Sequence, residues 1–379
     1  MTAGPGARNS LNDVAGISVG HHTATGAGFL TGTTVVLAPA DGMVAGVDVR
    51  GGGPATHETD LLDPAAAVER IHAIVLSGGS AFGLVTCSGV QVGLAELGIG
   101  LSVAPDPAAV VPLVPGAALF DLGRGGSYAS RPGADFGAAA LQDALRSRDS
   151  RDPVPEGGVG AGTGAVIANL KGGIGSASMV LESGFTVAAL AAVNAAGSPL
   201  DPRTGELLGA RLMLPRDGDL PRPDAAARDA LLAATAPRLP GIAFTPTDSA
   251  ATGSAATGSA AFDADGRGVA AISNTTLAVV VTDAALTKAQ CTKMAQVAQD
   301  GLARAINPVH TMFDGDTVFG AATGNGGAPD IAALFGIVAA AADVVSRAIV
   351  RAVLAAHTTT TPGGSWPSYR DVVAGSLPG

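Results

Sequence analysis

The chain has 379 residues, of which 47% are hydrophobic, 14% charged and 3% aromatic, so it can bury a large core as one large domain or two ordinary ones. Its net charge is −10, and its 22 Lys and Arg residues form no basic run. Nucleic acid and anionic membrane surfaces are therefore excluded as expected partners, because both are bound through clustered cations.

The sequence predicts a cytoplasmic protein. Residues 1–10 contain no apolar stretch of the signal-peptide type. The longest apolar helical segment, 331–356, is interrupted by Asp343, Arg347 and Arg351. These residues are spaced four apart and predict one polar stripe along an amphipathic helix, so no membrane span is expected there.

Short apolar runs bounded by Gly and Pro alternate with Ala-rich helical stretches. Helices are predicted over 81–96 and 287–306, and the second is preceded by a capping box of Thr287 and Gln290. Strands and helices mixed in this way predict a layered α/β or α+β domain. The runs that predict buried strands are 34–38, 71–76, 110–114, 163–169, 186–194, 277–282 and 317–322.

No metal site is expected from the sequence. Cys87 and Cys291 stand alone in apolar segments, and two isolated thiols predict core residues rather than a disulfide framework or a metal site. The denser groups of His and acidic residues, at 21–22 and 57–60, lack the spacing of zinc ligands.

Two segments are rich in glycine. Residues 158–164 lack the spacing and the following helix of a dinucleotide site, and they predict close backbone packing. Residues 77–83 lie between a predicted strand and a predicted helix but do not match the G-x-S-x-G pattern of a serine nucleophile. Ser80 is expected to cap the helix, and the turn around it can bind a substrate carboxylate or carbonyl group.

A tract of small residues leads to the most informative position of the chain. Residues 250–268 predict a mobile linker, because such a composition cannot bury enough surface to fold. A polar stretch then joins an apolar strand at Asn274 and Thr275. Cutting the bond between these two residues creates a good nucleophile, because the freed α-amine of Thr275 can act as the base for its own hydroxyl.

Four further polar residues stand near the ends of predicted strands. The position of Lys171, just after an apolar run, is typical of a solvated lysine in a turn. It also fits a lysine that enters a cleft and binds a hydroxyl or carbonyl oxygen. Asn194 predicts either a turn residue or an oxyanion donor. Asp314 and Asp316 predict a turn, a cation site, or a carboxylate pair that orients an amine and a hydroxyl.

Together these segments resemble the P1 family of self-cleaving hydrolases (peptidase family S58). This group includes L-aminopeptidase/D-esterase enzymes, β-peptidyl aminopeptidases and nylon-oligomer hydrolases. The resemblance spans nearly the whole chain. It is carried by residues 12–21, 49–52, 58–62, 76–84, 193–197, 274–276 and 310–317.

The resemblance implies one domain, 1–379, that cleaves itself once. The hydroxyl of Thr275 attacks the carbonyl of Asn274, water hydrolyses the ester, and fragments 1–274 and 275–379 stay together. The implied fold is an αββα sandwich of two stacked β-sheets flanked by helices. The implied assembly is a homo-oligomer, a tetramer of such heterodimers, and no cofactor is implied.

The resemblance also implies roles for single residues. Thr275 is the nucleophile, Lys171 lies near it, and Asn194 stabilises the oxyanion. Asp314 and Asp316 orient the nucleophile. A Thr nucleophile with this acidic pair is closer to the nylon-oligomer hydrolases than to the aminopeptidase branch, which typically carries a Ser nucleophile and a Ser-x-Glu pattern.

Gly79, Ser80 and Phe82 are the candidate substrate-binding residues. Phe82 departs from the family, since Tyr is common at its position and Phe cannot donate a hydrogen bond to the oxyanion. Loss of one such donor costs on the order of 10²-fold in rate. Phe82 is therefore expected to pack against the substrate.

The expected function is hydrolysis of amide bonds in small peptides or linear aliphatic amides, of the aminopeptidase or 6-aminohexanoate-oligomer hydrolase type. Two alternatives stay open. One is an acyltransferase of the ornithine acetyltransferase type, which passes the acyl group to an amine. The other is a non-catalytic oligomeric binding protein that has kept the fold.

Overall fold

The computed structural model describes residues 3–235 and 274–375, so the predicted linker over 250–268 lies outside the described residues. Within them the helices, numbered in chain order, are α1 (Val85–Glu96), α2 (Ala134–Arg146), α3 (Ala225–Ala234), α4 (Lys288–Ala305), α5 (Ile331–Ala355) and α6 (Tyr369–Val373). The strands are β1 (Ser18–Gly26), β2 (Phe29–Leu37), β3 (Val44–Val49), β4 (Thr56–His57), β5 (Ala73–Ser77), β6 (Leu101–Ser102), β7 (Val110–Val111), β8 (Gly116–Ala118), β9 (Val166–Ile167), β10 (Leu170–Lys171), β11 (Gly173–Val180), β12 (Thr186–Asn194), β13 (Thr275–Thr282), β14 (Thr317–Ala322), β15 (Thr359–Thr361) and β16 (Gly364–Trp366).

Two five-stranded sheets form the centre of the fold. The first has the strand order β1-β2-β5-β8-β4, and its β5 and β8 are parallel. The second has the order β11-β12-β13-β14-β3, and its β13 and β14 are parallel. The other neighbours in both sheets are antiparallel.

Alternation of side chains along the strands separates four layers. Leu76 of β5 and Val279 of β13 belong to one apolar cluster, which lies between the two sheets. Val75 faces the other way, toward α1 and α2, and Val280 faces α4 and α5. Because successive residues of a strand point to opposite faces, both sheets are covered on both sides. The expected αββα sandwich is confirmed.

Most predicted elements are present, some with the predicted ends and others with shifted ends. The predicted strands 186–194 and 317–322 coincide with β12 and β14, and Thr287 and Gln290 form the expected capping box at α4. The run 110–114 is a strand only at its first two residues, since Pro112 cannot donate to a ladder. The predicted helix over 81–96 begins as a 3-10 turn, Ser80–Leu84, before α1.

Two more predicted strands have different ends in the structure. The run 163–169 is a strand only at β9, because Ala168 and Asn169 have positive φ angles of 43° and 67° that turn the chain into β10. The strand predicted over 277–282 begins two residues earlier, at Thr275. Cys87 and Cys291 are buried and free, as expected.

Helix α5 is long and apolar enough to cross a membrane by length and composition alone. It lies instead against β11, β12 and α4, with most of its residues buried. Its polar stripe is paired inside the protein: Arg347 is fully buried against Asp217, and Arg351 contacts Glu156. The helix is therefore part of the core of this fold.

Small residues let helices lie directly on the sheets. Gly175 of β11 faces α5, where an added Cβ would lie 2.1 Å from the carbonyl oxygen of Ala348. Gly20 of β1 faces α2 in the same way, where an added Cβ would lie 2.0 Å from the nitrogen of Ala144. Interiors at this density have no room for an added methyl group without movement of the backbone.

Gly175→Ala is expected to destabilise the protein by about 1–3 kcal/mol, because the methyl group forces β11 and α5 apart. Urea unfolding of the variant and the wild type measures the difference. Gly158→Ala is the matched control, since an added Cβ there meets no atom within 4 Å. Equal losses in both variants would contradict the close-packing explanation.

Candidate active site

The junction between Asn274 and Thr275 lies at the start of β13, in the interior. Thr275 is the first residue of the strand and is 3% exposed. Its hydroxyl donates to the carbonyl oxygen of Asn274 at 2.6 Å, and the N–H of Gly315 donates to the same oxygen at 3.0 Å. The carbonyl group before Thr275 is therefore polarised by a backbone donor and lies beside a hydroxyl group.

Absence of a side chain at Gly315 makes this arrangement possible. A Cβ added there would lie 2.6 Å from Oγ1 of Thr275. The loop that carries Gly315 is held by the glycines after β3, because the N–H of Gly53 donates to the carbonyl of Asp314 at 2.9 Å. An added Cβ at Gly51 would lie 2.4 Å from the same carbonyl oxygen, so the two loops pack at backbone contact.

Asp314 and Asp316 are both buried beside the junction. Oδ1 of Asp316 accepts the N–H of Thr276 at 2.7 Å, and its Oδ2 contacts Nδ1 of His310 at 2.9 Å. Asp314 accepts the N–H and the hydroxyl of Thr311 at 2.8 and 2.7 Å. Burial raises the pKa of Asp314, and the bond from Thr311 opposes that rise. The pair therefore fixes the backbone on both sides of Gly315.

Asn194 lies opposite Thr275 in the ladder between β12 and β13. It is fully buried at the end of β12, so the interpretation as a turn residue is wrong. Its Oδ1 accepts the N–H of Val166 at 3.0 Å and a bond from Nη1 of Arg124. Its Nδ2 donates to the carbonyl of Phe120 at 3.2 Å. The amide group is thus held from both ends.

Lys171 is buried rather than solvated, so the interpretation as a surface turn is wrong. Its Nζ donates to the carbonyls of Gly162, Ala165 and Gly172 at 3.1, 3.0 and 2.8 Å. Burial, together with the charge of Arg124, lowers the pKa of Lys171 to about 7. Gly162 and Ala165 belong to the loop that ends at Val166. Lys171 therefore holds the loop whose last N–H, that of Val166, donates to Asn194.

Sequence reasoning missed the segment after β8. Arg124 donates to Gly164 and to Asn194, and Oδ1 of Asp121 accepts the N–H of Gly79 at 2.7 Å. Burial raises the pKa of Asp121 to about 6 and lowers that of Arg124 to about 10. One signal was present in the sequence: Asp121 and Arg124 are the only charged residues of the stretch 107–130.

A cavity of about 220 Å³ opens beside Thr275. Ser80 lines it, and the cap residue of the 3-10 turn is Gly79 rather than Ser80, so the expected cap is wrong. Gly79 has a φ of 83°, and Phe82 is 49% exposed under the guanidinium of Arg131. The cavity is lined by Gly53, Pro54, Ala55, Ser80, Ala81, Ala118, Phe120 and Thr275.

The aromatic residue at this cavity is therefore Phe120 rather than Phe82. A larger cavity, of about 320 Å³, lies between the segment from Thr59 to Pro64 and Thr292 of α4. Its lining includes neither Thr275 nor the residues that contact Thr275. The smaller cavity is the one that joins the predicted substrate turn to the predicted nucleophile.

The αββα sandwich of this chain is shared with solved hydrolases of the N-terminal-nucleophile fold. The structure of the L-aminopeptidase D-Ala-esterase/amidase from Ochrobactrum anthropi, a variant of this fold, is similar to the chain with a TM-score of 0.61 and 20% identity. The match covers 99% of this chain and 96% of the Ochrobactrum anthropi chain. The sequence matches the model of peptidase family S58 over residues 9–366, and the chain belongs to this family. It is a peptide-bond hydrolase.

Two further comparisons agree. A β-aminopeptidase from Burkholderia sp. has a TM-score of 0.68 and 22% identity, over 99% of this chain and 96% of that chain. An uncharacterized aminopeptidase of Mycobacterium tuberculosis is 41% identical over 97% of this chain and 99% of its own length. The alternative of a non-catalytic binding protein is therefore rejected.

Lys171→Met is expected to flatten the pH dependence of stability above pH 7. With a pKa lowered from 10.5 to about 7, the folded chain binds fewer protons than the unfolded chain between these values, so the free energy of unfolding rises with pH there. The slope from one proton is at most about 1.4 kcal/mol per pH unit. Urea unfolding at pH 7, 8 and 9 measures it, because above pH 9 the raised pKa values of Cys87 and Cys291 contribute a slope of opposite sign.

The raised pKa of Asp121 acts below pH 6 and does not overlap this window. Lys171→Arg is the comparison variant, because it keeps a cation that stays protonated throughout and is also expected to lose the slope. A wild-type slope in Lys171→Met would show that Lys171 is not the titrating group.

Proposed function

We propose that the chain is an autoprocessed aminopeptidase that uses Thr275 as an N-terminal nucleophile. One observation carries the proposal: the carbonyl oxygen of Asn274 contacts both the hydroxyl of Thr275 and the N–H of Gly315, at 2.6 and 3.0 Å. A hydroxyl group and a backbone donor thus lie at one peptide bond, as the proposal requires. Preorganised donors of this kind stabilise the charge that develops in acyl transfer.

The proposed self-cleavage has two steps. Oγ1 of Thr275 attacks the carbonyl carbon of Asn274, and the N–H of Gly315 and Nδ2 of Asn194 hold the developing oxyanion. The C–N bond breaks, the hydroxyl proton passes to the departing nitrogen, and an ester joins Asn274 to Thr275. Water then hydrolyses the ester, which leaves a carboxylate on Asn274 and a free hydroxyl and α-amine on Thr275.

Turnover uses the same groups on a second carbonyl. The new α-amine takes the hydroxyl proton, Oγ1 attacks the substrate amide, and the amine product leaves with that proton. Water hydrolyses the acyl ester. Asn194 donates to the oxyanion through Nδ2, and Asp314 and Asp316 orient the α-amine, while Lys171 acts through the loop that it holds. No cofactor takes part in these steps.

The proposed substrates are small peptides, cleaved after the N-terminal residue, and linear aliphatic amides such as 6-aminohexanoate oligomers. Small side chains around the cavity, at Pro54, Ala55, Ala81 and Ala118, favour a short or unbranched acyl group. We place the enzyme in the cytoplasm, as a tetramer of cleaved heterodimers. Size-exclusion chromatography with light scattering tests the assembly.

A screen of short α-peptides, β-peptides and aminohexanoate oligomers identifies the substrate class. Each substrate is incubated with and without an added amine acceptor, so that hydrolysis and acyl transfer give different products. Hydrolysis products that do not change with the acceptor are expected. Products that contain the acceptor would favour the acyltransferase alternative.

Thr275→Ala is expected to abolish self-cleavage, because the variant has no hydroxyl at the junction. Denaturing mass spectrometry over time measures the intact chain and the fragments 1–274 and 275–379. Thr275→Ser is the matched control: it keeps the hydroxyl and is expected to cleave. Separation of the Thr275→Ala chain into fragments 1–274 and 275–379 would reject the proposal.

Gly315→Ala is expected to slow self-cleavage by about 10²-fold, because its methyl group displaces the hydroxyl of Thr275 from a contact that must be held within about 1 Å. The same time course measures the rate. Gly158→Ala, in open space, serves as the control and is expected to cleave at the wild-type rate. Wild-type cleavage in Gly315→Ala would show that the hydroxyl does not use this position.

A further inference from the structure

The amide group of Asn194 has one orientation that its surroundings permit. Its Oδ1 faces two donors, Nη1 of Arg124 and the N–H of Val166. A guanidinium group and a backbone N–H have no acceptor atom, so a flipped amide would set its own donors against them. The flipped Oδ1 would also face the carbonyl of Phe120. Nδ2 is thereby fixed on the side of Phe120.

The acceptor on that side belongs to a residue of the cavity wall, since Phe120 lines the cavity together with Thr275. Thr275 is also the ladder partner of Asn194. A donor to an oxyanion at Thr275 has to come from this end of the amide.

We propose that Arg124 is a positioning residue that fixes the amide of Asn194 with its donor toward the oxyanion formed at Thr275. This inference rests on the proposed function. A bond from a cation to Oδ1 also polarises the amide and makes Nδ2 a stronger donor. Arg124 therefore acts on the rate without contacting the substrate.

The charges around Arg124 permit this role. Asp121 and Lys171 are two charged groups whose fields reach its guanidinium. One acidic and two basic side chains are thus brought together around Asn194. Arg124 also donates to the carbonyl of Gly164 at 2.6 Å, so its removal is expected to cost some stability as well. A test has to separate that cost from an effect through Asn194.

A double-mutant cycle makes the separation. The variants are Arg124→Met, Asn194→Ala and the double variant, with Arg124→Lys as the conservative change. Self-cleavage proceeds without urea, at a temperature at which every variant is folded. Its rate is measured by denaturing mass spectrometry. Asn194→Ala is expected to slow cleavage by about 10²-fold, the usual effect of losing one oxyanion donor.

Arg124→Met is expected to slow cleavage by about 10-fold or more in the wild-type background and to have no further effect in Asn194→Ala. Arg124→Lys is expected to recover part of the rate, because an ammonium group is also a donor without an acceptor. Arg351→Met is the control. It breaks a partly buried ion pair with Glu156 and is expected to cleave at the wild-type rate.

Each other outcome overturns the inference. A wild-type rate in Arg124→Met, or an equal slowing in both backgrounds, shows that Arg124 does not act through Asn194, and the proposed function stands. A wild-type chain that never separates at Asn274–Thr275 overturns the proposed function and the inference together. If Arg124→Met does not fold, Arg124→Lys carries the same cycle.

Discussion

The ladder between β12 and β13 is the contact on which the site depends. It places Asn194 directly opposite Thr275, and it is held by the size of the side chains on its two faces. The larger residues Leu190, Leu277 and Val279 lie between the sheets, while small residues such as Ala191 face the helices. A slip of one residue would exchange these faces and press Leu190 against α5, so the packing fixes the register.

Close packing of small residues also explains why the site is built mainly from backbone groups. Four backbone N–H groups donate hydrogen bonds at the site. The pairs are Gly79 to Asp121, Val166 to Asn194, Thr276 to Asp316 and Gly315 to the carbonyl of Asn274. Buried charges then act on the backbone: Lys171 contacts three carbonyls, and Asp121 contacts one N–H. Such a site is rigid because the fold itself carries its donors.

Long apolar runs and one polar junction are local signals, and they allowed a layered domain and the junction at Thr275 to be predicted. The two stacked sheets and the roles of the residues around Thr275 were implied by the family resemblance. Arg124 could not be assigned, since its contact with Asn194 joins residues 70 positions apart. Phe82 and Phe120 both follow strands and look alike in sequence. Only the parallel pairing of β5 with β8 brings both following loops to one edge and puts Phe120, rather than Phe82, on the cavity.

The uncleaved chain is the enzyme's first substrate in the proposed mechanism, and this has a physical consequence. Its reacting carbonyl is held by covalent connection, so cleavage needs the hydroxyl, its oxyanion donors and room for them at Gly315, but no substrate-binding wall. An external amide has no such connection and must be held by the cavity walls. Groups that only the second reaction needs, such as the Ala and Pro walls of the cavity, can therefore differ between relatives while the junction keeps its geometry.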